Sequence, residues 1–353
     1  MSRLDINPQR GLSLVELMVA IVIASFLVLG LVQVFTASRN AYQLSEGLAR
    51  VQENARFAMD FLQRDIRMAG HFGCVNDQAR RQSANVLTSH FTTGGVLDFG
   101  YSIHGYENAT PTGLTLSPPR VAGTDSIVLR FLGSTGIPIK LVDLSDAAAP
   151  TIEVDPDKWS VLTENGEGSS TLFGIADCAF ADVFSAQSTD ASNGKVVVPS
   201  VVDLSRYGAS PQGGPSMLFR AQALVYYVGV GASGQNALYR ARINANGSVT
   251  SEELVEGIEN LQFRYGMDRN EATDPTGYIA TQGTAVDVGT TDLQWRRVGQ
   301  VQVGFIVASP NPSTSLQARV LSVLGNDVTP PSDGRYRAVY ENTIALRNRL
   351  YGN

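Results

Sequence analysis

The sequence predicts an α+β protein, a long N-terminal helix carrying a mainly antiparallel β-sheet domain. Two observations predict it. No residue from Leu17 to Ser38 is charged and no proline lies between Pro8 and Pro111, so one helix can run unbroken to a stop near Gly70 or Gly73. After Cys74 the texture changes to short runs of β-branched and aromatic residues separated by Gly, Asn and Pro clusters. With 43% hydrophobic and 17% charged residues the chain has the makings of a core and is not a disordered tail. A net charge of −6 without any Lys/Arg block argues against nucleic acid as a partner. Three histidines and two cysteines exclude a Cys₄ or Cys₂His₂ zinc site.

The helix divides into two halves. At about 1.5 Å per residue, Leu17–Ser38 covers roughly 33 Å, enough for a bilayer core of about 30 Å. Arg3 and Arg10 precede it, which keeps the N-terminus cytoplasmic and sends the rest of the chain outward. Beyond Ser38 the pattern turns amphipathic: Leu44, Leu48, Val51, Ala55, Met59, Leu62 and Ile66 recur at steps of three and four. Arg50, Glu53, Arg56, Asp60, Arg64 and Arg67 fall largely off that stripe. An ordinary signal peptide is the plain alternative, with Thr36 and Ser38 as small residues at a cleavage spacing. Against it stand the length of the apolar stretch and Glu16 just inside its start.

Strands are predicted at Asp125–Leu132, Ile137–Leu144, Lys195–Val202, Ala221–Val230 and Ala237–Ile243. Further ones are predicted at Asn260–Met267, Val298–Ala308, Ala318–Leu324 and Arg335–Leu346. A short helix is expected at Ser251–Glu259, where Thr250 and Glu253 match a capping box and Val255 and Ile258 supply a buried face.

An ionisable residue within an apolar helix is costly, on the order of 2.5–3.5 kcal/mol for Asp at the centre and less towards the end. A new amino terminus made by cutting between Gly11 and Leu12 would give Glu16 a partner on a neighbouring copy, as the fifth residue of the mature chain. Arg10-Gly11-Leu12-Ser13-Leu14-Val15-Glu16 followed by an uncharged helix resembles the class III signal of type IV pilins and type II secretion pseudopilins. The resemblance implies that prepilin peptidase cuts after Gly11 and N-methylates Leu12, and that Glu16 serves assembly. Leu12 stands where many members have Phe, and the proline that breaks many major pilin helices near the position of Gln33 is missing.

Arg64-Asp65-Ile66-Arg67-Met68-Ala69-Gly70-His71-Phe72-Gly73-Cys74 is similar to the helix exit of PilW-type minor pilins. Asp177-Cys178, Ala237-Leu238-Tyr239-Arg240, the block Leu254–Gly266 and the closing Ala345-Leu346-Arg347-Asn348-Arg349 are similar to that family too. The Leu254–Tyr265 block also resembles the J-type minor pseudopilin of type II secretion, a much shorter protein. The organisation expected is a leader at 1–11, a membrane and filament-core half-helix at 12–38, an amphipathic half-helix at 39–73 and a periplasmic β domain at 74–353. The PilW resemblance implies a tip or priming complex that initiates pilus assembly, with other minor pilins, the major pilin and a PilC/PilY-type adhesin as partners. The resemblance also implies that the inner membrane holds the subunit before assembly. A type II secretion pseudopilin is the alternative, and a membrane-anchored or secreted periplasmic binding protein or enzyme the second.

Cys74 and Cys178 are the only cysteines, and an oxidising periplasm makes a disulfide the default, with two buried thiols as the alternative. Gly229-Val230-Gly231-Ala232-Ser233-Gly234 matches G-x-G-x-x-G, but an alternating strand follows where a dinucleotide site needs a helix, so a hairpin loop is expected and no cofactor. His71, His90 and His104 lack metal spacing and are expected on the surface or in turns. Asp268–Asp274 offers oxygen ligands without the EF-hand glycine, so an acidic turn is expected over a calcium loop. Tyr226, Tyr227, Tyr239, Phe263 and Tyr265 alternate on strands and are expected to pack within sheets.

Overall fold

A computed structural model describes residues 13–75, 86–163, 171–268, 277–312 and 319–348. Helix α1 runs from Leu14 to Met68 without a break, through Gly30, a length of about 80 Å. Ala69 caps it and Gly70 follows with φ 78°, near the predicted stop. Its buried face is Gly47, Val51, Ala55, Ala58, Leu62, Asp65 and Ile66. Leu44 and Leu48, placed on the same stripe by spacing, are 41% and 37% exposed.

The first strands are β1 (Leu87–Ser89), β2 (Ile103–Tyr106), β3 (Ser126–Leu132), β4 (Ile137–Asp143) and β5 (Thr151–Val154). Then come β6 (Leu172–Ala176), β7 (Ala181–Ser185), β8 (Ser188–Asp190), β9 (Lys195–Val197), β10 (Met217–Val230), β11 (Asn236–Ile243) and β12 (Val249–Glu256). The chain closes with β13 (Ile258–Asp268), β14 (Ile279–Gly283), β15 (Val298–Pro312), β16 (Leu321–Val323), β17 (Asn326–Val328) and β18 (Arg335–Ala345). Ladders are antiparallel except β1 with β7.

Strand β10 organises the larger sheet. Its first residues pair with β6 on one edge and β4 on the other; from Ala221 it pairs with β3, and from Leu224 with β11. A second sheet has the order β14-β13-β15-β18, and α1 lies mainly on β15 and β18. Alternation along β10 feeds different cores. Leu224, Tyr226 and Val228 join the α1 stripe and the second sheet, whereas Val225 and Tyr227 join Phe72, Phe99 and Tyr239. A third cluster, with Trp159, Phe173 and Tyr207, fills the space beside β4, β5 and β9. All five strand aromatics singled out above are buried in these cores.

The helix expected at Ser251–Glu259 is not formed. Val249–Glu256 is β12, in register with β11 from Ile243↔Val249 to Ala237↔Glu256, and Gly257 turns the chain into β13. The two capping-box side chains are used elsewhere. Glu253 Oε2 accepts from the Ala232 amide at 3.0 Å and from Tyr239 Oη at 2.9 Å, and Thr250 Oγ1 accepts from Asn244 Nδ2 at 3.3 Å. So short a helix does not repay its nucleation in isolation, whereas a ladder beside β11 and the buried Val255 and Ile258 are available to a strand. Lys195–Val202 is strand only to Val197, and of the predicted 318–324 strand Leu321–Val323 is formed, residue 318 lying outside the described residues.

Candidate functional site: an uncovered helix and its anchorage

At the start of α1, Ser13 is the N-cap. The Glu16 amide donates to Ser13 Oγ at 3.2 Å, and the Ser13 amide donates to Glu16 Oε2 at 2.9 Å. The reciprocal pair satisfies two amides that the helix leaves open and holds Glu16 near the helix start. Gly11 and Leu12 lie outside the described residues. Beyond Glu16 the apolar side chains, Phe26, Leu31 and Phe35 among them, are exposed around the whole helix. Among the described residues α1 is the one helix long and apolar enough to cross a membrane.

The other end of the helix is tied to the β domain by a buried ionic group. Asp65 is 4% exposed and lies within the apolar face. Tyr226 Oη donates to its Oδ2 at 2.6 Å, Arg240 Nη1 approaches the same oxygen at 3.2 Å, and Arg64 Nε reaches Oδ1 at 3.0 Å. Arg240 Nε also binds Glu252 Oε1 at 2.6 Å. Burial, then the Asp65 charge, pushes the Tyr226 phenol far above its ordinary value, so it stays a donor. α1, β10 and β11 thus meet at one carboxylate, and β12 joins them through Arg240. Asn54 Nδ2 donates to the Glu256 carbonyl at 3.0 Å, and Asn348 Nδ2 to the Arg67 carbonyl at 3.0 Å.

Cys74 and Cys178 form a disulfide with Cα atoms 4.7 Å apart, joining the helix exit to the turn between β6 and β7. The Asp65 group was missed by sequence reasoning. Its signal was an acid at a step of three from Leu62 on the buried stripe, matched by Arg240 on a strand whose two faces are both covered.

His71 and His90 follow the ends of α1 and β1, His104 stands within β2, and all three are half-buried. His90 Nε2 lies 2.6 Å from Asp182 Oδ1, and the same carboxylate accepts from Arg206 and Tyr207. Burial alone would raise the Asp182 carboxyl, but these bonds outweigh it and hold it below the usual carboxylate range. His104 stacks 4.6 Å from Trp295 and 4.5 Å from Tyr106; burial and the nearby Arg130 charge lower it to about 4. His71 is partly buried and lowered by burial. Among the described residues no cluster of His, Cys, Asp and Glu could hold a metal ion. Of the acidic turn at 268–274 only Asp268 lies within the described residues, and its Oδ2 accepts from the Gly277 amide at 2.6 Å. Residues 229–234 form the β10–β11 hairpin, with Gly231 donating to the Gln235 carbonyl at 2.6 Å and β11 following where a nucleotide fold needs a helix.

Residues 225–348 match the family model of type IV pilus-assembly protein W (PilW), a stretch that contains Tyr226, Arg240, Glu252 and the whole second sheet. Residues 6–32 match the prokaryotic N-terminal methylation motif. No curated protein and no solved structure matches the chain.

Proposed function

This chain is a type IV pilus minor pilin of the PilW family, and from that premise we propose that it acts without chemistry of its own, as a subunit of the complex that primes pilus assembly and stays at the tip. Prepilin peptidase cuts between Gly11 and Leu12 and N-methylates Leu12. The subunit waits in the inner membrane with residues 74–353 in the periplasm, then enters the filament beside other minor pilins and the major pilin. A PilC/PilY-type adhesin is the further partner. The uncovered apolar helix beneath a methylation motif is the observation that carries this reading.

Ser13 and Glu16 both remain in the mature chain. One Glu16 oxygen serves the cap, so the other is left to accept from the Leu12 ammonium of a neighbouring copy. In an apolar helix bundle, pairing removes two isolated charges at once. The test is the intact mass and N-terminal residue of protein extracted from membranes of the native host. N-methyl-Leu12 is the expected start. A start near Arg39 would remove Glu16 with the membrane half and defeat the assembly mechanism.

A further inference from the structure

The uncharged stretch Leu17–Ser38 holds one side-chain amide, Gln33. It lies just beyond the stretch 6–32 that matches the methylation motif, so that match does not account for it. Two hydroxyls of the stretch are met by their own helix. Ser25 Oγ donates to the Ile21 carbonyl at 2.8 Å, and Thr36 Oγ1 to the Val32 carbonyl at 2.9 Å. The Gln33 side chain is exposed and has no hydrogen-bond partner among the described residues. Water would satisfy such an amide; hydrocarbon leaves it unmet, at a cost at least that of a lost hydrogen bond.

Depth and direction keep Gln33 away from water. It stands five residues before Ser38, about 8 Å inside the nearer end of the stretch. Side chains on a helix lean toward its N-terminus and cover the preceding turn. The amide therefore leans toward the middle of the bilayer and away from the nearer interface. The turn it covers is that of Gly30, where no side chain or distant backbone atom lies within 4 Å of the place a Cβ would take. A glycine there lets a second helix backbone come close. The Leu, Val and Ile side chains around it give no preference for a protein neighbour, since lipid tails are equally apolar. Selection at this depth falls to Gln33. A carboxamide donates through its nitrogen and accepts through its oxygen, so it complements itself. Parallel insertion of two identical chains brings both amides to one depth, which another helix matches only with a polar group at that level. We propose that the Gly30–Gln33 face of α1 docks a second copy of this chain in the membrane, the two helices exchanging a reciprocal pair of hydrogen bonds at Gln33. The proposal rests on the membrane-spanning reading of α1 and not on a place at the pilus tip.

The full chain, purified in detergent micelles, is followed by sedimentation equilibrium over a range of protein-to-detergent ratios. The intact mass of the same sample shows whether the membrane half is present. A monomer–dimer equilibrium is expected. Gln33→Leu changes only an exposed position on the apolar half of the helix and leaves the β domain untouched. It should weaken the dimer about tenfold, the scale of a polar pair lost between membrane helices. Gly30→Leu should weaken it by a similar factor, by holding the backbones apart. Ser25→Ala, whose hydroxyl is already met within its own helix, should leave the dissociation constant unchanged. Crosslinking in membranes of the native host should give an adduct of two copies that depends on Gln33. A monomer that retains its membrane half, a dimer as tight in Gln33→Leu or Gly30→Leu as in the native chain, or an equal loss in Ser25→Ala would each overturn the proposal and leave the membrane reading standing. An adduct with a different pilin in place of the second copy would overturn it too. A chain that starts near Arg39 would remove the membrane reading, and this proposal with it.

Discussion

Asp65 is the residue on which the attachment of the helix turns. Replacing it with alanine leaves Arg240 buried with one carboxylate partner fewer and Tyr226 Oη with only its 3.4 Å bond to the Phe61 carbonyl, a loss of about 3–5 kcal/mol by analogy with other broken buried pairs. Thermal unfolding should show a large drop in Tm for Asp65→Ala and a smaller one for Tyr226→Phe, which keeps the ionic contact. A second residue-scale expectation concerns His104. Its folded pKa, about 4, lies below the ordinary 6.5, so the unfolded chain takes the proton first as pH falls. This contribution is therefore intact above pH 6.5, is lost between 6.5 and 4 by about 3 kcal/mol, and levels off below. Denaturant midpoints measured across that window should flatten in His104→Phe, which keeps the ring stack on Trp295. A slope unchanged by the substitution would assign the acid sensitivity to other groups.

Among the elements, α1 and the later strands were legible in the sequence, because a single period runs through each. The step of three and four from Val51 to Ile66 marks one covered stripe, the apolar run is apolar all round, and β11 alternates in residue type although both its faces are covered. What stayed hidden had no period to show. β6 and β7 are buried on nearly every residue, so they read as short apolar stretches with no sidedness. Asp65 looked like one more charge on the helix, because its partners come from strands far along the chain. The β12 segment shows local and tertiary preference in conflict. Its Thr250 and Glu253 spell a helix start, yet both bond across the sheet. Gly257 closes the β12–β13 turn at φ 83°, and a Cβ there would meet the Ala308 carbonyl oxygen at 2.7 Å. Gly257→Ala should therefore destabilise by about 1–3 kcal/mol, visible as a lower midpoint in urea. Gly105 is constrained differently: Tyr265 Oη occupies the space a Cβ would need. The disulfide belongs to this scale too. It spans 104 residues, and the chain-entropy model values a closed loop of about 100 residues at up to about 4.7 kcal/mol. Cys74→Ser should lower Tm by an amount that reducing agent reproduces in the native chain and does not add to in the variant.

At the scale of the molecule, one end of α1 is fixed and the other is offered to neighbours. Glu16→Ala removes the cap acceptor and the proposed partner for Leu12 together, while leaving Gly11 and Leu12 intact. The variant should be cleaved normally and be depleted from sheared pili, measured by immunoblot of membrane and filament fractions. Normal incorporation would sink the pairing. Attachment of the other end has a consequence in time. The stripe from Val51 to Ile66 is covered by β15 and β18, the last long strands to be made, and β10 takes partners from both earlier and later segments. Such distant closures must be completed before they are rewarded, which puts topologies of this kind in the range of milliseconds to seconds. A newly inserted subunit therefore passes through an interval in which its helix is in the membrane and its sheet-facing stripe is still bare. During that interval the stripe is open to wrong partners, and a docked β domain is what ends it. Completion of folding, more than insertion, then sets when a subunit is ready to be used, and stopped-flow refolding of the full chain in micelles should show a slow phase in which the α1 stripe becomes protected.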